Sequence, residues 1–110
     1  MGWENAEAGI AAAVGVDMWS GNRMQVVPYP RRIMAAALIG GDTVGVGKVD
    51  IYVGSVYRGT LTVTTASQAL DKQKDILPQS IVVPANTMLH VFITEVTATN
   101  STINWFLFDR

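Results

Sequence analysis

The run Lys48-Val49-Asp50-Ile51-Tyr52-Val53-Gly54-Ser55-Val56-Tyr57-Arg58-Gly59-Thr60-Leu61-Thr62-Val63-Thr64-Thr65 carries the fold in its spacing. Lys48, Asp50 and Tyr52 alternate with Val49, Ile51 and Val53, so polar groups fall on one face of a strand and branched aliphatics on the other. Thr60, Thr62 and Thr64 then alternate with Leu61 and Val63. Gly54-Ser55 and Gly59 bracket Val56-Tyr57-Arg58, which reads as a hairpin or bulge between the two runs.

The same period extends in both directions. Upstream, Arg31–Ile39 is apolar on both faces, with Ala35, Ala36 and Ala37 in succession, as expected of a strand pressed between two layers. Arg23–Val27 reads as a further strand, ended by Pro28-Tyr29-Pro30. Downstream, Ser80–Val83, Met88–Val96 and Thr102–Phe108 are strands, separated by Pro84-Ala85-Asn86-Thr87 and by Thr97–Ser101. Ala66–Lys74 is a long loop or a short helix. Seven to eight strands with one long connection predict an all-β, two-sheet β-sandwich of jelly-roll-like build. Residues 1–22 show neither alternation nor a capped helix, and Gly9 and Gly15 limit helix propagation. They read as an irregular N-terminal arm, with residues 23–110 as the sandwich domain.

The chain has 110 residues, 49% hydrophobic and 15% charged, with a formal net charge of −1 and no cysteine. That length bounds it to one domain. Soluble chains carry about 25% charged residues, and a chain this small hides only about two-thirds of its unfolded surface. Apolar side chains are therefore expected on the outside, where another chain covers them. Near-neutral charge argues against a nucleic-acid partner. No apolar run approaches the about 20 residues of a membrane-spanning helix, and the acidic start at Glu4 and Glu7 is unlike a signal peptide.

Chemistry-bearing motifs are sparse. His90 is the one histidine, and Glu95, the nearest acid in sequence, falls on the other strand face. A satisfied or interface histidine is expected there, because a general base needs a nucleophile and an orienting carboxylate converging on it. One His and no Cys leave zinc without ligands. Asp71-Lys72-Gln73-Lys74-Asp75 lacks the glycine and closing glutamate of a calcium loop. Gly41–Lys48 fails as a phosphate loop: Asp42 stands where the first glycine belongs, and Val49 follows the lysine. Asn100-Ser101-Thr102 matches a glycosylation sequon. Arg31-Arg32 reads as strand-end solubility or an inter-subunit ion pair. No catalytic, cofactor or metal residue is expected.

Lys48–Gly54 and Ile81–Val91, followed by a Thr-rich hairpin and an aromatic closing strand, resemble small β-sandwich or jelly-roll coat proteins of icosahedral viruses. The resemblance runs from about Ile33 to Phe108. It implies a structural subunit at a vertex, in a minor capsid position or as a decoration, located in the virion, with further copies or other shell proteins as partners. The arm lacks the basic residues with which RNA-virus coats hold their genome, which points to a protein-contacting position. The residues expected at the interface are Trp3, Ile10 and Trp19 from the arm, and Phe106 and Phe108 from the closing strand. The alternative is a carbohydrate-binding sandwich module with Trp19, Tyr52, Tyr57 or Trp105 as stacking platforms.

Overall fold

The computed structural model describes residues 2–8, 14–40, 47–64, 76–95 and 102–109. Within them lie seven strands: β1 Gly2–Ala8, β2 Arg31–Gly40, β3 Lys48–Val53, β4 Val56–Thr62, β5 Leu77–Val83, β6 Leu89–Glu95 and β7 Thr102–Asp109. They form two antiparallel sheets, one ordered β1-β7-β2-β5 and the other β4-β3-β6. The aliphatic halves of the alternating runs meet between the sheets. Ile33, Leu38, Val83 and Phe106 from one sheet pack with Val49, Ile51, Leu61 and Val91 from the other in a single buried cluster.

A fourth segment lies beside β6. Gly15 N donates to Ile93 O at 2.7 Å, Ile93 N to Val16 O at 2.9 Å and Met18 N to Val91 O at 2.8 Å, with a bridge between Asp17 and Phe92. Counting this stub as the second strand in chain order, first pairs with last, second with second-last, and so on inward. Successive pairs alternate between the two sheets. That is a ribbon folded once and rolled, the winding of a jelly roll.

The N-terminal quarter departs from the irregular arm expected of it. Gly2–Ala8 is a strand in full register with β7, from Gly2 opposite Phe108 to Ala8 opposite Thr102. A strand needs no alternation of its own when its partner is apolar on both faces, as β7 is. The outer side of β1 is tied down as well, by Asn22 Nδ2 donating to Asn5 O at 3.1 Å and by an ion pair between Arg23 and Glu4. Such contacts blunt a sheet edge against unwanted pairing.

Arg23–Val27 is likewise a chain of turns, not a strand. Ser20 N bonds Asp17 O, Asn22 N bonds Trp19 O, Gln25 N bonds Asn22 O, and Asn22 Oδ1 accepts from Met24 N. Local hydrogen bonds from Asp and Asn side chains and backbone outcompete the ladder here. Val56–Thr62 is one strand, and its irregularity is a register shift where Ile51 faces Gly59 but Tyr52 faces Tyr57. Gly59 supplies the positive φ of 149° that this bulge requires. Ala66–Lys74, Thr97–Ser101 and most of Gly41–Lys48 lie outside the described residues.

Candidate functional site

Three of the expected interface residues belong to the core. Trp19 and Phe106 are fully buried and Phe108 nearly so. The Trp19 indole stacks on Phe106 at 5.3 Å and meets Phe108 edge-on at 6.2 Å. Its Nε1 donates to Asn104 Oδ1 at 2.7 Å, while Asn104 Nδ2 donates to Ala37 O at 2.9 Å. A buried indole N–H needs an acceptor, and Asn104 supplies it from inside the sandwich. Neither an interface anchor nor a sugar platform can be made of Trp19. Trp3 stays half-exposed and meets Trp105 edge-on at 6.5 Å on the outward side of β1 and β7. Ile10 lies outside the described residues.

The outward face of β4-β3-β6 carries a row of rings. The register sets Tyr52 opposite both Tyr57 and His90, and Asp50 opposite both Thr60 and Phe92. By parity Tyr57 belongs on the face opposite Thr60, and the bulge at Gly59 turns it onto the same one. Tyr57 meets Tyr52 at 5.7 Å, Tyr52 meets Phe92 at 5.6 Å, both edge-on, and Phe92 stacks on His90 at 5.4 Å. Tyr57 is 53% exposed and the other three rings are half-buried. At the hairpin end, Val26, Val56 and Met88 are also exposed. They sit on neighbouring segments, joined by Gly54 N to Met88 O and Leu89 N to Gln25 O.

Several polar groups beside the rings are hydrogen-bonded. Thr60 Oγ1 donates to Asp50 Oδ1 at 2.6 Å, so the Tyr57 hydroxyl, 2.6 Å from Thr60 Oγ1, must be the donor to it. Asp17 accepts four hydrogen bonds: Trp19 N and Val91 N on Oδ1, both at 3.0 Å, and Gln25 Nε2 and His90 Nδ1 on Oδ2, at 2.9 and 2.7 Å. The carboxylate therefore pins the stub, the turn and β6 together. His90 with Asp17 has the form of a base with its orienting acid. Its ring, however, lies against Phe92, and the described residues place no hydroxyl in hydrogen bond with it. Among the described residues no group of three or more His, Cys, Asp or Glu could hold a metal ion, and no helix is long and apolar enough to cross a membrane.

Sequence reading missed Asp17 and Phe92. Asp17 stands 73 positions from His90, and nothing local to either residue announces the pairing. Phe92 was within reach, since alternation places it with His90 and Met88. No protein-family model matches the chain, and no curated protein matches it.

Proposed function

We propose that the protein is a non-enzymatic structural subunit of a viral capsid or a similar shell, associating with copies of itself through the aromatic face of β4-β3-β6. The observation that carries this reading is the row of rings, flanked by the hydrogen-bonded groups Tyr57–Thr60–Asp50 and His90–Asp17. Aromatic side chains surrounded by satisfied hydrogen bonds form the centre of protein contacts, where unpaired polar groups are penalised. The jelly-roll winding adds support by analogy, since capsid subunits and lectins share it. The edge-on rings offer a ridged surface that interdigitates with its own copy across a two-fold axis. A net charge of −1 sets up little repulsion between copies. In a shell, the same face or its hairpin end abuts other shell proteins.

The size of the face sets a condition. Three strands about 4.8 Å apart and about 20 Å long span roughly 300 Å² in projection, well short of the about 800 Å² per partner of a stable contact. The contact must therefore extend over Val56, Met88 and Val26.

Multi-angle light scattering after size exclusion tests the proposal. The expected mass is a multiple of 11.9 kDa, and Tyr57→Lys combined with Phe92→Thr reduces it to the single-chain value with the circular dichroism unchanged. A single-chain mass at about 100 μM, where contacts of micromolar affinity are filled, overturns self-association. A second reading, the carbohydrate-binding module, draws on the exposed Tyr57 ring. A glycan-array signal lost in Tyr57→Ala would favour it.

A further inference from the structure

Two opposite charges on the ring-bearing face of β4-β3-β6 stand without an ionic partner. Asp50 is half-buried, opposite Phe92 on one side and Thr60 on the other. Its Oδ1 accepts from Thr60 Oγ1 at 2.6 Å, and among the described residues nothing bonds its Oδ2. Arg58 is the extra residue of the β4 bulge: Gly59 faces Ile51 and Tyr57 faces Tyr52, which leaves Arg58 with no residue opposite. Alternation from Thr60 puts it on the ring side of the strand, and it is exposed. The ion pairs among the described residues join Arg23 to Glu4 and His90 to Asp17, and pass both groups by.

Strands about 4.8 Å apart with a rise of about 3.4 Å per residue set the two positions roughly 8 Å apart, with Tyr52 and Tyr57 beside them. In a contact between identical faces, residue i of one copy meets residue j of the other, and j meets i. One two-fold axis through the midpoint therefore brings each Asp50 to the Arg58 of the other copy. Resting on the self-association reading above, we propose that two reciprocal ion pairs fix this contact. Arg58 of each copy reaches the open oxygen of Asp50 in the other, with its guanidinium laid against the Tyr52 and Tyr57 rings. Arginine suits that position because its planar, weakly hydrated cation stacks on aromatic faces while donating to a carboxylate. Lys48, the other exposed cation near Asp50, stands beyond it along β3, on the side away from Tyr52. A contact centred on the rings leaves Lys48 at the rim. The paired charges also select the partner, since a face with like charge at these points is repelled.

The test uses the full chain with two charge reversals, Asp50→Arg and Arg58→Asp, and light scattering over a concentration series. Each variant alone sets two like-charged pairs across the axis, and its Kd for self-association is expected to rise at least about a hundredfold. Mixed in equal amounts, the two variants present opposite charges at both points. The mixture is expected to regain the wild-type mass, with one chain of each kind seen by native mass spectrometry. The double variant, with the charges exchanged inside one chain, is expected to associate like the wild type, and both recoveries show that the substituted chains fold. Lys48→Glu is expected to leave the mass unchanged. Single variants that keep the wild-type mass overturn the ion pairs and leave the ring-face contact standing. So does a mixture that stays dispersed, or a Lys48→Glu chain that dissociates where Arg58→Asp does not. A wild-type chain that is single at about 100 μM, above a micromolar Kd, removes the self-association reading and the ion pairs with it. Such a chain with a glycan-array signal lost in Asp50→Asn assigns the face to a sugar instead.

Discussion

Trp19 and Asn104 show how a single pair of side chains ties the two sheets into one body. The indole is fully buried, stacked on Phe106, and its N–H reaches an amide on β7 that in turn bonds the Ala37 carbonyl. Trp19→Ala removes that volume from a closed core, and the expected loss is about 3–5 kcal/mol, read as a lower urea midpoint. Asn104→Ala strands the indole N–H and the Ala37 carbonyl, with an expected loss of about 1–3 kcal/mol. If Trp19→Ala unfolds at the wild-type urea midpoint, the indole is not in the core. The large size of Trp19 was legible in the sequence, but its destination was not. An aromatic residue in a Gly-rich, aperiodic segment looks equally suited to its own core and to a neighbour's.

At the level of strands, Gly59 decides where Tyr57 points. The bulge gives β4 one extra residue, so Tyr57 shares a face with Tyr52 and Thr60. A side chain at Gly59 meets no neighbour but must adopt a φ of 149°, a region that L residues enter at a cost of about 1–3 kcal/mol. Gly59→Ala is expected to destabilise by that order in thermal unfolding and also to weaken self-association, since relieving the strain rotates Tyr57. A destabilised variant with unchanged mass would separate the bulge from the interface. The regular strands were readable from period two alone: β3 matches its alternating run residue for residue, and β2 and β7 do so to within one residue. β7 also shows the limit of that signal. Its two faces are Phe106 with Phe108 and Trp105 with Leu107, both apolar, and alternation cannot say which turns inward. The rolled topology chooses Phe106 and Phe108. Arg31 is the converse case: its charge reads as strand-end solubility or an inter-subunit ion pair, yet it lies buried on the same side of β2 as Ile33.

The whole molecule depends on its first residues to a degree that the arm reading did not anticipate. Residues 2–8 complete one sheet, residues 14–17 extend the other, and Met18 and Trp19 fill the space between them. Deleting residues 1–22 is therefore expected to abolish cooperative unfolding and the near-ultraviolet dichroism of packed aromatics. A free arm predicts instead an intact sandwich that merely fails to assemble. A truncated chain with a sharp thermal transition would decide for the arm. Fold class was legible because strand period and turn chemistry are local properties. The docking of residues 2–19 and the Asp17–His90 pair arise from long-range closure, which leaves no periodic trace.

β7 lies between β1 and β2, so the largest sheet has its latest-made strand near its middle. On the ribosome, β1 and β2 emerge with an open slot between them and wait for residues 102–109 to fill it. Until then Trp19 and Ile33 lack the Phe106 and Phe108 rings that cover them, and the nascent chain holds its greasiest surface bare. Synthesis stalled before Thr102 would hand the cell's chaperones and proteases a half-built roll, and the protein's yield in the cell should track how quickly that last strand arrives.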